Sequence, residues 1–159
     1  SSVMPTVLSG RLGYTNTLTS MLGIWSAEDK NKAMENLRVV GIENKAHNRA
    51  DELSGGQQQR VGIARAMMQE PTLMLADEPV ASLDPALADS VMRYFEKMNH
   101  ERNTTVICSL HVLGLARQYA TRIIALRAGE IVYNGDPQGI DEQRFREIYG
   151  DEAVEHTIR

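Results

Sequence analysis

The feature that most constrains this chain is a short apolar run, Leu73-Met74-Leu75-Ala76, that stops abruptly at Asp77-Glu78-Pro79. Four apolar residues without polar alternation predict a strand covered on both faces, the pattern of a parallel sheet rather than a half-wet hairpin. A second run of that type, rich in β-branched residues, occupies Thr104 to Cys108. Between the two, Asp84-Pro85 offers a helix cap followed by proline at the first helical position, and Leu87, Val91, Phe95 and Met98 recur at helical spacing. Strand, helix and strand in that order predict a parallel pair joined by a crossover, hence an α/β layered fold.

The flanks extend this pattern. Gln57 to Gln69 reads as a helix with Val61, Ala64 and Met68 on one face, opened by Gly55-Gly56 and stopped by Glu70-Pro71. Val112 to Tyr119 predicts a short helix, Arg122–Leu126 and Glu130–Tyr133 a hairpin around Arg127-Ala128-Gly129, residues 137–149 a helix, and the last ten residues a polar tail. Upstream, residues 1–25 read as loop with one or two short helices, anchored by Val7, Leu8, Leu12, Met21, Leu22, Ile24 and Trp25. Ser26-Ala27-Glu28-Asp29 predicts a capped helix start, Ala33, Leu37 and Val40 its apolar stripe, and Gly41 its end, with one further short helix in the polar stretch 42–53. The expected organisation is a helical subdomain over 1–53, an α/β core segment over 54–136, and a C-terminal helix and tail over 137–159.

Composition narrows the class. With 159 residues, 42% hydrophobic and 24% charged, the chain can bury a core and is not a disordered tail, a collagen-like fibre or a coiled-coil rod. Seventeen Lys and Arg against 21 Asp and Glu give a net charge of −4, with no basic excess to mark nucleic acid as a partner. A single cysteine cannot form an internal disulfide, which fits a reducing compartment. No apolar stretch approaches the ~18 residues of a membrane span, and the N-terminal residues lack the basic and apolar regions of a signal peptide.

Four local patterns carry chemistry. In Leu53-Ser54-Gly55-Gly56-Gln57-Gln58-Gln59-Arg60, two glycines admit a ligand to the backbone while the free N–H groups and dipole of the following helix favour an anion. Asp77 and Glu78 stand at the C-terminal end of a buried strand, where α/β folds bind ligands. There Asp77 can hold Mg²⁺, and Glu78 can turn to a water as general base. Ala81-Ser82-Leu83-Asp84 is a loop ending in a cap, and His111 follows the second strand. Each alone is also an ordinary cap, a pair of solvated acids, a loop or a structural histidine. Their order is the informative part: Ser54 precedes Asp77 by 23 positions, one helix and one strand, and His111 follows Glu78 by 33, again one helix and one strand.

Taken together these segments resemble the ATP-binding-cassette (ABC) ATPase family. Leu53–Gln57 is similar to its signature motif, Leu73–Asp77 to Walker B, Glu78 to the catalytic glutamate, Ala81–Asp84 to the D-loop and His111 to the switch histidine. The resemblance implies a P-loop NTPase-type parallel sheet with a helical subdomain. It implies Glu78 and His111 as catalytic residues, Asp77 as the metal residue, and Ser54, Gly55, Gly56, Gln57 and Asp84 as nucleotide contacts, with ATP and Mg²⁺ as cofactors. In this family the signature motif serves the nucleotide of a second subunit. Within the family, Gly10-Arg11-Leu12-Gly13, Val80 in Asp77–Asp84, and Ser109-Leu110-His111 most resemble the ATPase subunit of phosphonate importers. The implied setting is the cytoplasmic face of a membrane, peripheral, as a homodimer under transmembrane permease subunits, served indirectly by a substrate-binding protein.

The sequence departs from the family in one respect. The phosphate loop has the form G-x-x-x-x-G-K-[ST], and none of the 12 glycines here is followed by lysine. The Walker A strand, the Q-loop glutamine and the adenine-stacking aromatic are also expected upstream of Ser1. The sheet is therefore expected to be incomplete, with an open edge and uncovered apolar faces, and the chain alone to be inactive. Two other readings remain: a non-transport ABC ATPase of DNA repair or translation, and a non-catalytic fragment that cannot bind ATP alone.

Overall fold

The computed structural model describes residues 2–16 and 22–149. The expected anchor Met21 and the polar tail over 150–159 lie outside the described residues. Ten regular elements follow in chain order: α1 (Val3–Leu8), α2 (Ala27–Val39), α3 (Gly55–Met68), β1 (Leu73–Ala76), α4 (Pro85–Arg102), β2 (Thr105–Cys108), α5 (Leu113–Tyr119), β3 (Ile123–Arg127), β4 (Glu130–Gly135) and α6 (Glu142–Tyr149), with short 3₁₀ turns between some of them. The chain forms two compact units, Ser1–Cys108 and Ser109–Arg159.

In the first unit, β1 and β2 pair in parallel, Leu73 opposite Thr105 and Ala76 opposite Cys108, joined by α4 as the crossover. α1 and α2 pack on α3, and α2 also reaches α4. The core between them is Val3, Val7, Leu8, Ala33, Leu37, Val61, Ala64, Met67, Met68, Val91, Phe95 and Met98. Helix ends follow the caps written in the sequence. The Ser26 hydroxyl accepts from the Asp29 amide at 3.0 Å, and the Asp84 carboxylate accepts from the amides of Ala86 and Leu87 at 3.1 and 3.0 Å. Gly41 closes α2 with φ at +68°, and a Cβ there would lie 2.5 Å from Leu87 Cδ2, so glycine also lets α4 approach. Buried Asn36 links three helices: its Oδ1 accepts from the Tyr94 hydroxyl at 3.1 Å, and its amide points to the Ala64 carbonyl at 3.5 Å.

Two expectations need correction, and a third, the incomplete sheet, is met. Residues 42–53 form two 3₁₀ turns, Glu43–Lys45 and Ala50–Glu52, instead of one helix. The backbone there serves α1 instead, with the Val3 and Met4 amides donating to the carbonyls of Asn48 and Ala46 at 3.0 and 2.9 Å. The segment 137–149 is a 3₁₀ turn and a separate helix, because Asp136 caps the first and Asp141 the second through its bonds to the Arg144 and Phe145 amides. β1 is suited to cover on both faces but is covered on one only, as expected of the incomplete sheet. Met74 is buried, but Leu73 and Leu75 are 50% and 69% exposed, and Ile107 of β2 is 59% exposed. Among the described residues the sheet has two strands, and no layer lies over that face.

In the second unit, β3 and β4 form the antiparallel hairpin, with a register irregularity between Ala125 and Leu126. Its small core is Leu113, Ile140 and Phe145, with Ile123 and Tyr133 packed against it. Among the described residues no helix is long and apolar enough to cross a membrane.

Candidate nucleotide site

Ser54 is the N-cap of α3 and forms a capping box. Its hydroxyl accepts from the Gln57 amide at 3.4 Å, and the Gln57 side-chain carbonyl accepts from the Ser54 amide at 3.1 Å. The box engages two donors and leaves the Gly55 and Gly56 amides as the remaining first-turn donors. A Cβ on Gly55 would meet nothing within 4 Å, and one on Gly56 only Ser82, 3.6 Å away. The residues fit a phosphate group: an open helix N-terminus, two glycine amides, and a hydroxyl whose proton is not spent on the cap.

Asp77 and Glu78 follow β1 directly, and both side chains are exposed. Asp77 sits beside the end of β2: burial, and then the negative charge of Asp77, push the Cys108 thiol up to about 11. That cysteine is a packed, protonated side chain. Among the described residues no group of three or more His, Cys, Asp and Glu could hold a metal alone. A single exposed carboxylate fits Mg²⁺, which is commonly bound through one or two carboxylates plus substrate phosphates and water.

Glu78 takes φ of +45°, a left-handed backbone that costs a non-glycine residue on the order of 1–3 kcal/mol. The turn it begins is closed by the Ala81 amide, which donates to the Glu78 carbonyl at 3.2 Å, and by the Leu83 amide, which donates to the Val80 carbonyl at 3.1 Å. Val80 is buried beneath it. This turn leads to Asp84, whose carboxylate holds the start of α4.

Two residues outside the expected set join these parts. The Gln59 side-chain amide donates to the Glu78 carbonyl at 3.3 Å, and the Ser82 hydroxyl donates to the Gln59 side-chain carbonyl at 2.8 Å. The second turn of α3 therefore lies against the loop after β1 within one chain. Gln59 and Ser82 both fall inside quoted motifs, but periodicity and capping carry no signal for a contact 23 residues apart. His111 belongs to the second unit, exposed just before α5.

Elsewhere in the first unit, Glu70 follows α3 with φ of +44° and bonds Arg11 at 2.8 Å, Arg102 at 2.6 Å, and Lys32. Arg11 also reaches Asp29 at 3.1 Å. The Lys32 hydrogen bond, with the charges of Lys32, Arg102 and Arg11, holds the Glu70 carboxyl below the usual range against a partial desolvation.

Comparison with known proteins gives the chain's relatives. Residues 6–81 match the family described as ABC transporter. The chain is 55% identical over 152 residues to the phosphonates import ATP-binding protein PhnC of Bdellovibrio bacteriovorus, covering 96% of this chain and 58% of that protein. The dimeric structure of MJ0796, a bacterial ABC transporter cassette, superposes with a TM-score of 0.71 at 31% identity, over 88% of this chain and 58% of that one. A post-hydrolysis state of the same cassette, dimeric and bound to ADP and Pi, superposes with a TM-score of 0.71 at 32% identity, over 87% of this chain and 58% of that one. The chain thus spans about three fifths of the length of the relatives it matches.

Proposed function

The chain belongs to the ABC transporter family, and from that membership we propose that it is part of the ATP-binding and ATP-hydrolysing subunit of an importer for phosphonates. The observation that carries this reading is the site itself. An open helix N-terminus with Ser54, Gly55 and Gly56, and an Asp77-Glu78 pair at the end of a parallel strand, stand in one unit of a chain 55% identical to a phosphonates import ATP-binding protein. The parent protein acts on this proposal as a dimer at the cytoplasmic face of the membrane, beneath permease subunits, and takes its phosphate loop from sequence outside these 159 residues. The D-loop over Ala81–Asp84 and the division into a helical subdomain over 1–53, a core segment over 54–136 and a C-terminal segment over 137–159 are part of the same reading.

Each residue then has a chemical task. Asp77 supplies a carboxylate to Mg²⁺, which when bound neutralises charge on the phosphates. Glu78 accepts a proton from the attacking water, with the turn behind it fixing the direction of its carboxylate. His111 donates toward the terminal phosphate. Ser54 and the glycine amides meet the nucleotide of the second subunit, Gln57 keeps Ser54 in the cap, and Asp84 holds α4 in place behind the loop. A non-transport ABC ATPase is disfavoured by the close identity to an import protein. Among the described residues the longest helix, α4 with 18 residues, gives no coiled-coil arm. The testing experiment is Glu78→Gln in the parent protein. Mg-ATP binding should persist while turnover falls on the order of 10²–10⁴-fold, the range for a general base. Turnover within twofold of the unaltered protein contradicts the reading.

A further inference from the structure

We propose that Gln59 is a positioning residue that ties the signature helix to the catalytic loop of the same chain and so makes the two nucleotide sites of a dimer dependent on each other. The inference rests on the function proposed above. Three observations carry it. The Gln59 side chain is bonded at both ends, donating to the Glu78 carbonyl at 3.3 Å and accepting from Ser82 at 2.8 Å. The peptide it holds belongs to a residue in left-handed backbone, a conformation that needs its surroundings to maintain it. The same continuous helix of 14 residues carries Ser54 and the glycine amides at its first turn.

The consequence is geometric. The start of α3 addresses one nucleotide, and Glu78 addresses the other. When α3 shifts to close on the first, Gln59 draws the Glu78 carbonyl and the Ser82 loop with it, which changes the direction of the Glu78 carboxylate. A misplacement of about 1 Å at a catalytic group can cost up to ~10²-fold in rate. An amide is the side chain suited to this link, because one planar group must donate on one side and accept on the other. A carboxylate at the same position keeps the acceptor and sets a negative oxygen against the Glu78 carbonyl.

The test is steady-state Mg-ATP hydrolysis by the parent protein carrying Gln59→Ala, Gln59→Glu, Ser82→Ala or the pair Gln59→Ala/Ser82→Ala, beside Glu78→Gln. Gln59 is exposed, so its substitutions leave the core intact, and Ser82→Ala removes the bond that orients the Gln59 amide while leaving its bond to the Glu78 carbonyl. We expect Gln59→Ala to lower kcat about 5–50-fold, within the usual span of coupling between sites, with KM within twofold and the Hill coefficient falling toward 1. Gln59→Glu should lower kcat further, and the double variant should fall no lower than Gln59→Ala, since Gln59→Ala already removes the one bond that Ser82→Ala removes. Unaltered kcat and Hill coefficient in both Gln59→Ala and Ser82→Ala, with Glu78→Gln inactive, overturns the coupling and leaves the ATPase reading standing. Full independence, with the two single losses multiplying in the double variant, also overturns it. An active Glu78→Gln protein overturns the reading on which the inference rests.

Discussion

At the scale of single residues, the polar contacts fall into two groups with different tasks. Glu70 is structural: a carboxylate in left-handed backbone held by Arg11, Lys32 and Arg102, which come from three other segments of the chain. Its folded-state acidity is stronger than in the unfolded chain, so its contribution is present above the ordinary carboxylate range and is lost as pH falls through the depressed folded value. Glu70→Gln should therefore lower stability by about 1 kcal/mol at pH 7, discounted for a partly exposed group, and the gap to the unaltered protein should narrow as pH falls below the ordinary carboxylate range. Urea midpoints of the two proteins across pH 3–7 check this, and a gap that stays constant or widens on acidification contradicts it. Gly10 makes a second, steric demand, since a Cβ there would lie 2.3 Å from the Arg65 carbonyl of α3. Gly10→Ala should cost about 1–3 kcal/mol by overpacking α1 and the following turn against α3, read as a lowered urea midpoint.

At the scale of elements, the two faces of β1 make opposite predictions. Met74 points into the core, and Met74→Ala should cost about 2–5 kcal/mol. Leu75 is 69% exposed, and Leu75→Ser should change the stability of this chain by about 0.5 kcal/mol or less while reducing self-association at high concentration. Denaturant melts and light scattering separate the two effects, and equal costs at Met74 and Leu75 would contradict the one-sided sheet. The elements also divide by legibility. The caps at Ser26, Ser54 and Asp84, the crossover α4 and the four strands could be read from sequence, because each is set by residues a few positions apart, and the parallel pairing of β1 with β2 follows from the helix between them. Continuous apolarity in Leu73–Ala76 alone marks only a strand suited to cover on both faces, and the uncovered face is legible instead from the lack of a lysine-bearing phosphate loop. What could not be read depends on contacts distant in sequence. The polar stretch 42–53 gives its backbone bonds to α1, and no local pattern announces that. The left-handed turn at Glu78, and the Gln59 and Ser82 contacts that hold it, arise only when α3 and β1 pack.

At the scale of the whole molecule, the proposed function gives the chain residues for both sides of a nucleotide site, while none of its glycines is followed by the lysine of the loop that grips the β- and γ-phosphates. Highly purified chain should show no ATP turnover that Glu78→Gln abolishes, and such turnover would contradict the expected inactivity. The central claim is that Ser54 of one chain and Glu78 of the other meet at one ATP in the parent dimer. The direct measurement is single-turnover hydrolysis of prebound Mg-ATP by a heterodimer of the parent protein, one subunit carrying Ser54→Arg and the other Glu78→Gln, beside the two homodimers. If the residues meet across the dimer, both defects fall in one site and the second is whole, so the heterodimer hydrolyses ATP, slowed by no more than the coupling between sites, while neither homodimer does. A heterodimer as inactive as the homodimers, with ATP bound, would contradict it, because that is the outcome when Ser54 and Glu78 serve the same nucleotide within one chain.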